Sequence, residues 1–247
     1  MSSRAPKRVK IGSAPSEPKG WKAIFEGIRE YRAANYAPVD DMGCTQLADS
    51  TDEKVFRYQT LVALQLSSQT KDQVTSEAMG KLKAHQPGGL TPQSIVQMDE
   101  TVLDGYISKV GFHNRKTMHL QQTARILLDE YDGDIPPTVE KLMALPGVGP
   151  KMAYLAMQCA WRSNVGIGVD THVHRISNRL GWSQTAKPED TRVALEGWLP
   201  REHWSEINHM LVGFGQTLCK PIGPLCSECP VKDLCPKIGI RKSISRK

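Results

Sequence analysis

Leu145-Pro146-Gly147-Val148-Gly149-Pro150-Lys151 separates a short helical pattern from the apolar run Met152 to Trp161. Two glycines flanking one apolar residue permit a tight turn, because glycine accepts backbone angles closed to other residues. Val148 then plugs the space between the flanking helices. Backbone N–H groups at such a turn point outward, and together with the dipole of the following helix they make a site for an anion such as a phosphate. A bare Gly-x-Gly is most often an ordinary helix-to-helix connection, whereas the whole LPGVGxK string is far more specific. A turn of this kind would hold a nucleic-acid backbone without reading bases.

Lys151 falls in the first turn of the next helix, where the positive end of the dipole and any nearby cation favour a neutral amine. A neutral lysine is a nucleophile able to form a Schiff base with a sugar aldehyde. A surface lysine that binds phosphate is the plainer reading, and this segment alone leaves both open. Nineteen residues on, Val169-Asp170-Thr171-His172-Val173-His174-Arg175 opens another helical run. Asp at such a place ordinarily caps the helix. Brought near Lys151 by the fold, its carboxylate would also stabilise positive charge building on a sugar and help manage protons.

Outward from these segments the pattern is helical nearly everywhere from Trp21, with apolar residues at spacings of three and four. Helices are expected at about 21–33, 52–67, 71–84, 92–98, 99–108, 114–131, 137–144, 150–161, 171–180, 189–198 and 201–218, and the fold class is all-α. Ser50 to Glu53 and Thr70 to Gln73 match capping boxes, and Thr91-Pro92 sets a cap before a proline suited to the first helical position. Residues 1–20 are rich in Ser, Pro, Gly and Lys and are expected to be a disordered basic tail, as is the basic segment 237–247. Pro6-Lys7-Arg8-Val9-Lys10 is compatible with nuclear import, and the acid-free start tolerates a mitochondrial route.

The 247 residues carry 32 Lys and Arg against 26 Asp and Glu, a net charge of +6 that favours a polyanionic partner. No stretch approaches the roughly 20 apolar residues of a membrane span, and no apolar signal core opens the chain, so an intracellular protein is expected. Disulfides are rare in that setting, which turns the 6 cysteines toward metal chemistry or core packing. Cys44 and Cys159 stand apart. Cys219, Cys226, Cys229 and Cys235 read C-x6-C-x2-C-x5-C in a proline-rich stretch with little core to occupy. Four thiolates converging there suit a tetrahedral zinc or an iron–sulfur cubane, and general chemistry does not choose between them.

LSSQTKD at 66–72, VGFHNRK at 110–116, LPGVGPK at 145–151, VDTHVHR at 169–175 and the cysteine array together resemble the endonuclease III family of helix-hairpin-helix DNA glycosylases, over about Trp21 to Pro236. The resemblance implies a six-helix barrel at 50–163, and a second lobe of 21–49 with 164–236 in which the four cysteines hold a [4Fe-4S] cluster. It implies a monomeric, bifunctional glycosylase and abasic-site lyase of base excision repair. Its partner is double-stranded DNA carrying oxidised pyrimidines or abasic sites, with no membrane. The localisation expected from the basic start of the chain is the nucleus first, with the mitochondrion second.

By motif, Lys151 matches the nucleophile and Asp170 the catalytic carboxylate. Gln69 matches the residue that fills the gap left by an extruded base, and Phe112 or His113 the wedge on the opposite strand. Gly147, Val148, Gly149 and His172 complete the expected DNA contacts. Flipping a base costs a few kcal/mol, less for a damaged one, and a polar Gln69 in the hole would hydrogen-bond the partner base. An adenine-type glycosylase relative would lack Lys151 and carry an acid shortly before the glutamine, but Leu61 to Ser68 reads LVALQLSS. A non-enzymatic hairpin module would not need Lys151 and Asp170 together.

Overall fold

The computed structural model describes residues 16–240. The two tails expected at 1–20 and 237–247 lie largely outside the described residues, as does the basic run Pro6 to Lys10. The described elements are α1 (Trp21–Ala34), α2 (Val39–Met42), α3 (Glu53–Ser67), α4 (Asp72–Lys83), α5 (Pro92–Gln97), α6 (Glu100–Ile107), α7 (His113–Glu130), α8 (Val139–Met143), α9 (Pro150–Cys159), α10 (Thr171–Arg179), α11 (Pro188–Trp198), a 3-10 turn Arg201–His203 and α12 (Trp204–Thr217). No strand occurs among the described residues, so the all-α expectation stands.

On α3 nine consecutive residues, Tyr58 to Leu66, are buried. A helix covered on every side belongs among others, and α3 packs against α4, α7 and α9. Around it, α7 buries Lys116, Thr117, Leu120, Thr123, Ala124 and Leu127, a one-sided stripe at helical spacing. The resulting core runs from Leu47 through Leu61, Leu82, Ile107 and Leu127 to Ala160. Each fully buried leucine there contributes about 1.5–3 kcal/mol of transfer free energy.

A second core joins Trp21, Phe25 and Ile28 of α1 to Ile167, Val173, Ile176, Leu195, Leu211, Phe214 and Val231. Its centre is α12, packed against α1, α2 and α10. Edge-on contacts of Trp198 with both Trp21 and Trp182 close this core beside the 3-10 turn. The early segment thus folds with the late one, and α2 bridges back to α4 of the first core.

Three local expectations change. Asp52 caps α3, its carboxylate accepting from the N–H of Lys54 and Val55, while the Ser50 hydroxyl only accepts from Asp52 N. The charged oxygen, two residues nearer the helix, is the stronger acceptor. No side chain caps α4, because Thr70 Oγ1 instead accepts from Gly111 N at 3.1 Å. The last long helix is split by the 3-10 turn. At Thr91 the expected cap holds, accepting from Ser94 N at 3.2 Å.

Candidate active site and cysteine loop

After α8 the chain enters the hairpin with Leu145 and Val148 buried, as a plug between helices requires. Gly147 has φ 74, and a Cβ added there would lie 2.4 Å from His119 Nδ1, so both conformation and space demand glycine. Gln65, buried on α3, donates from Nε2 to Pro146 O at 3.0 Å and ties the turn to α3. Gly149 precedes α9 without a side chain to cap it, Pro150 takes the first position, and half-buried Lys151 the second. Among the described residues no backbone or side-chain acceptor takes the N–H of Gly147, Gly149 or Lys151. These donors are left for an anion from outside.

Asp170 caps α10, its Oδ1 accepting from Val173 N at 2.8 Å. Two residues later stands His172. Burial pushes the His172 imidazole below its ordinary pKa, Asp170 and Asp72 pull it up, and Arg175 and Lys151 add to the lowering. One neutral ring therefore sits within reach of charges from α4, α9 and α10, which brings Lys151 and Asp170 into one neighbourhood. The Lys151 charge also reaches Cys44, whose pKa is lowered chiefly by a hydrogen bond from the Cys159 thiol. The lysine thus lies where the segment before α3 meets the first core.

Gln69 follows the end of α3 with φ 51, and Phe112 precedes α7 with φ 59. Left-handed backbone costs a residue with a Cβ roughly 1–2 kcal/mol, so both conformations must be held by their surroundings. Both side chains are exposed, Phe112 at 62%. His113 is not a partner to that exposure, since its Nδ1 lies 2.7 Å from Asp104 Oδ1 and its hydrogen bond keeps the Asp104 carboxyl below the usual carboxylate range. Gln69, Phe112, Arg115, Lys116, His119 and Gly147 line one cavity of about 200 Å³.

Cys219, Cys226, Cys229 and Cys235 line a single hollow floored by Phe214, Leu218 and Val231. Arg179, only 8% exposed, holds the wall. It donates to Cys219 O and Sγ at 3.4 Å each, to Lys220 O at 2.6 Å and to Pro221 O at 2.9 Å. Arg175 adds a bond to Cys219 O at 2.9 Å, and Lys237 N donates to Cys235 Sγ at 3.4 Å. Burial, reinforced by the neighbouring sulfurs, pushes the Cys229 and Cys235 thiols up. Thiolates gathered there need a compensating cation. Among the described residues no three His, Cys, Asp or Glu side chains close tightly around a single ion.

The description "HhH-GPD superfamily base excision DNA repair protein" matches residues 62–201. "Endonuclease III-like protein 1" of Gallus gallus is 56% identical over 223 residues, 89% of this chain and 78% of that one. The chain belongs to the endonuclease III family. "Endonuclease III homolog" of Schizosaccharomyces pombe is 54% identical over 228 residues, and the match spans 92% of this chain but 64% of that relative. A solved structure of an endonuclease III trapped as a covalent intermediate with DNA superposes with a TM-score of 0.73 at 28% identity, covering 87% of this chain and 95% of that one.

The matched family description names base excision DNA repair, and another similar solved structure is an endonuclease III in a non-covalent complex with DNA. The motif reading did not single out Lys116, Gln65 or Arg179. Lys116 stood in plain view as the last residue of VGFHNRK, but nothing in a sequence marks a lysine as buried. It is 7% exposed here.

Proposed function

We propose that this chain removes oxidised pyrimidines from duplex DNA and cuts the strand at the resulting abasic site, working as a monomer with Lys151 as its nucleophile. The observation that carries the reading is the place of Lys151: directly after a hairpin with free N–H groups, and joined to Asp170 through the electrostatics of His172.

In this mechanism Lys151 Nζ attacks C1′ of the flipped nucleotide. The C1′–N bond breaks, its electron pair leaves with the base, and the base takes up a proton. Asp170 stabilises the positive charge on the sugar as that bond breaks. Ring opening gives an imine, loss of the C2′ proton drives out the 3′ phosphate by β-elimination, and water releases Lys151. Gln69 fills the gap opposite the estranged base, and exposed Phe112, rather than His113 with its Asp104 tether, is the wedge. The Gly147, Val148 and Gly149 turn grips phosphate, with His172 beside the sugar.

Cys219, Cys226, Cys229 and Cys235 would hold a [4Fe-4S] cluster. Support comes from the four sulfurs around one hollow, the two N–H groups directed at sulfur, and the family's C-x6-C-x2-C-x5-C spacing. Bound there, the cluster would hold the loop together so that Lys220, Lys232 and Lys237 present their positive charge to phosphate, and neither base loss nor β-elimination transfers net electrons. The reading places the chain in the nucleus, with the mitochondrion as a second site.

Thymine-glycol and abasic duplexes, incubated with and without borohydride, test the whole. Wild-type protein cleaves both and is trapped by reduction, whereas Lys151→Gln binds but neither cleaves nor traps. Trapping retained in Lys151→Gln removes the nucleophile from this lysine.

A further inference from the structure

Beneath the two exposed, left-handed residues lies one buried ammonium. Lys116 Nζ donates to Leu66 O at 2.8 Å, to Ser68 O at 2.7 Å and to Thr70 Oγ1 at 3.3 Å. Leu66 and Ser68 belong to the last turn and C-cap of α3, whose carbonyls have no partners within the helix and whose negative dipole end favours a cation. Ser68 and Thr70 flank Gln69, so two of the three bonds hold its neighbours, one at the Ser68 carbonyl and one at the Thr70 hydroxyl.

The same hydroxyl of Thr70 accepts from Gly111 N at 3.1 Å, one residue before Phe112. Gly111 itself presses on the Gln69 carbonyl so closely that an added Cβ would lie 2.5 Å from it. The Gln69 turn and the Phe112 turn are therefore one hydrogen-bonded unit, and Lys116 is its only charged member. It lines the cavity between them. A surface lysine here would reach for phosphate, but this one spends its three protons inward, where an ammonium has just three to give.

We propose that Lys116 is a positioning residue that presets Gln69 and Phe112 for entry into the duplex, holding both loops with a single ammonium. The proposal rests on the reading of Gln69 and Phe112 as the inserted residues. It assigns Lys116 no contact with the lesion and none with the reacting sugar.

The test places 2-aminopurine opposite a stable abasic analogue and follows its fluorescence on binding, beside KM and kcat on a thymine-glycol duplex. Borohydride trapping on a single-stranded abasic oligonucleotide, which offers no gap to fill, checks that Lys151 is intact. For Lys116→Met the expected results are a loss of most of the fluorescence change, a KM raised about tenfold with kcat within about twofold, and single-strand trapping unchanged. Thr70→Val, which removes the link to Gly111 and keeps the shape, should lose part of the fluorescence change and raise KM severalfold. Should Lys116→Met fail to fold, Thr70→Val decides alone. Wild-type fluorescence and KM in the folded variants overturn the proposal. Gln69→Ala and Phe112→Ala run alongside: if neither alters the fluorescence, the insertion reading fails first and the role of Lys116 falls with it.

Discussion

Gln65 Nε2 donates to Pro146 O at 3.0 Å, so the helix that ends at the Gln69 turn also holds the hairpin that leads into Lys151. The amide cannot turn over, because its oxygen would then face the Pro146 oxygen; that oxygen instead lies buried with no partner. Gln65→Ala leaves the Pro146 carbonyl unsatisfied and should lower stability by about 1–3 kcal/mol. Urea unfolding measures that loss. In parallel, affinity for undamaged duplex should fall severalfold at fixed salt, since the turn's N–H groups are no longer held. An unchanged affinity would mean that the hairpin stands without α3.

Asp170 caps α10, and under the proposed mechanism it is also the catalytic carboxylate; substitution separates the two. Asn caps a helix about as well as Asp, so Asp170→Asn should keep stability within about 0.5 kcal/mol while removing the negative charge. The single-turnover rate of base release should drop roughly 10²–10³-fold, the scale of a lost electrostatic partner. Asp170→Ala should lose a further ~1 kcal/mol of stability at similar activity. If Asp170→Asn stays fully active, the residue is a cap and nothing more.

Arg179→Met takes away donors from Cys219 O, Cys219 Sγ, Lys220 O and Pro221 O at once. Under the cluster reading the purified variant should carry well under half the iron and sulfide of wild type. Its thermal midpoint should fall by several degrees, as expected when the hydrogen bonds that tie the cysteine loop to α10 are lost together. Elemental analysis separates iron from zinc in the same sample, and four zinc-bound thiolates in the wild type would displace the cubane.

The pH dependence of stability should bear the mark of Lys116, whose pKa burial pushes down to about 8. Between about pH 8 and the ordinary value of 10.5 the unfolded chain binds a proton that the folded chain does not, so stability gains from this residue as pH rises through that window. Below it the ammonium is present in both states and its burial cost is felt in full. Relative to Lys116→Met, the wild type should therefore gain stability from pH 8 to 10, read as a difference in urea midpoints. A flat difference would mean that the pKa is not lowered.

The helices were legible because they are long, periodic and punctuated. Thr91-Pro92 opens α5 as its residues indicate, and Leu145 and Val148 bury as a hairpin plug must. The short α2 was not, since four residues after Pro38 carry no periodicity. Nor were the caps at Ser50 and Thr70, where neighbouring acceptors and a distant Gly111 N–H competed for the same groups. Phe112 and His113 could not be told apart in the sequence. Asp104, on another helix, separates them by capturing the histidine. The cavity near Gln69 was invisible for the same reason, as its walls come from α3, α7 and the hairpin, which lie far apart along the chain.

Helix α10 begins at the carboxylate of Asp170 and ends at Arg179, whose guanidinium grips the cysteine loop. Nine residues of α-helix make a rod about 13 Å long. Under the cluster reading, a chain whose loop lacks iron would lose the anchor at one end of that rod and with it the register of the carboxylate at the other. Repair capacity would then follow the cell's iron supply and its sulfide-delivery machinery, and starvation for the metal would leave lesions unexcised by a reaction that consumes none.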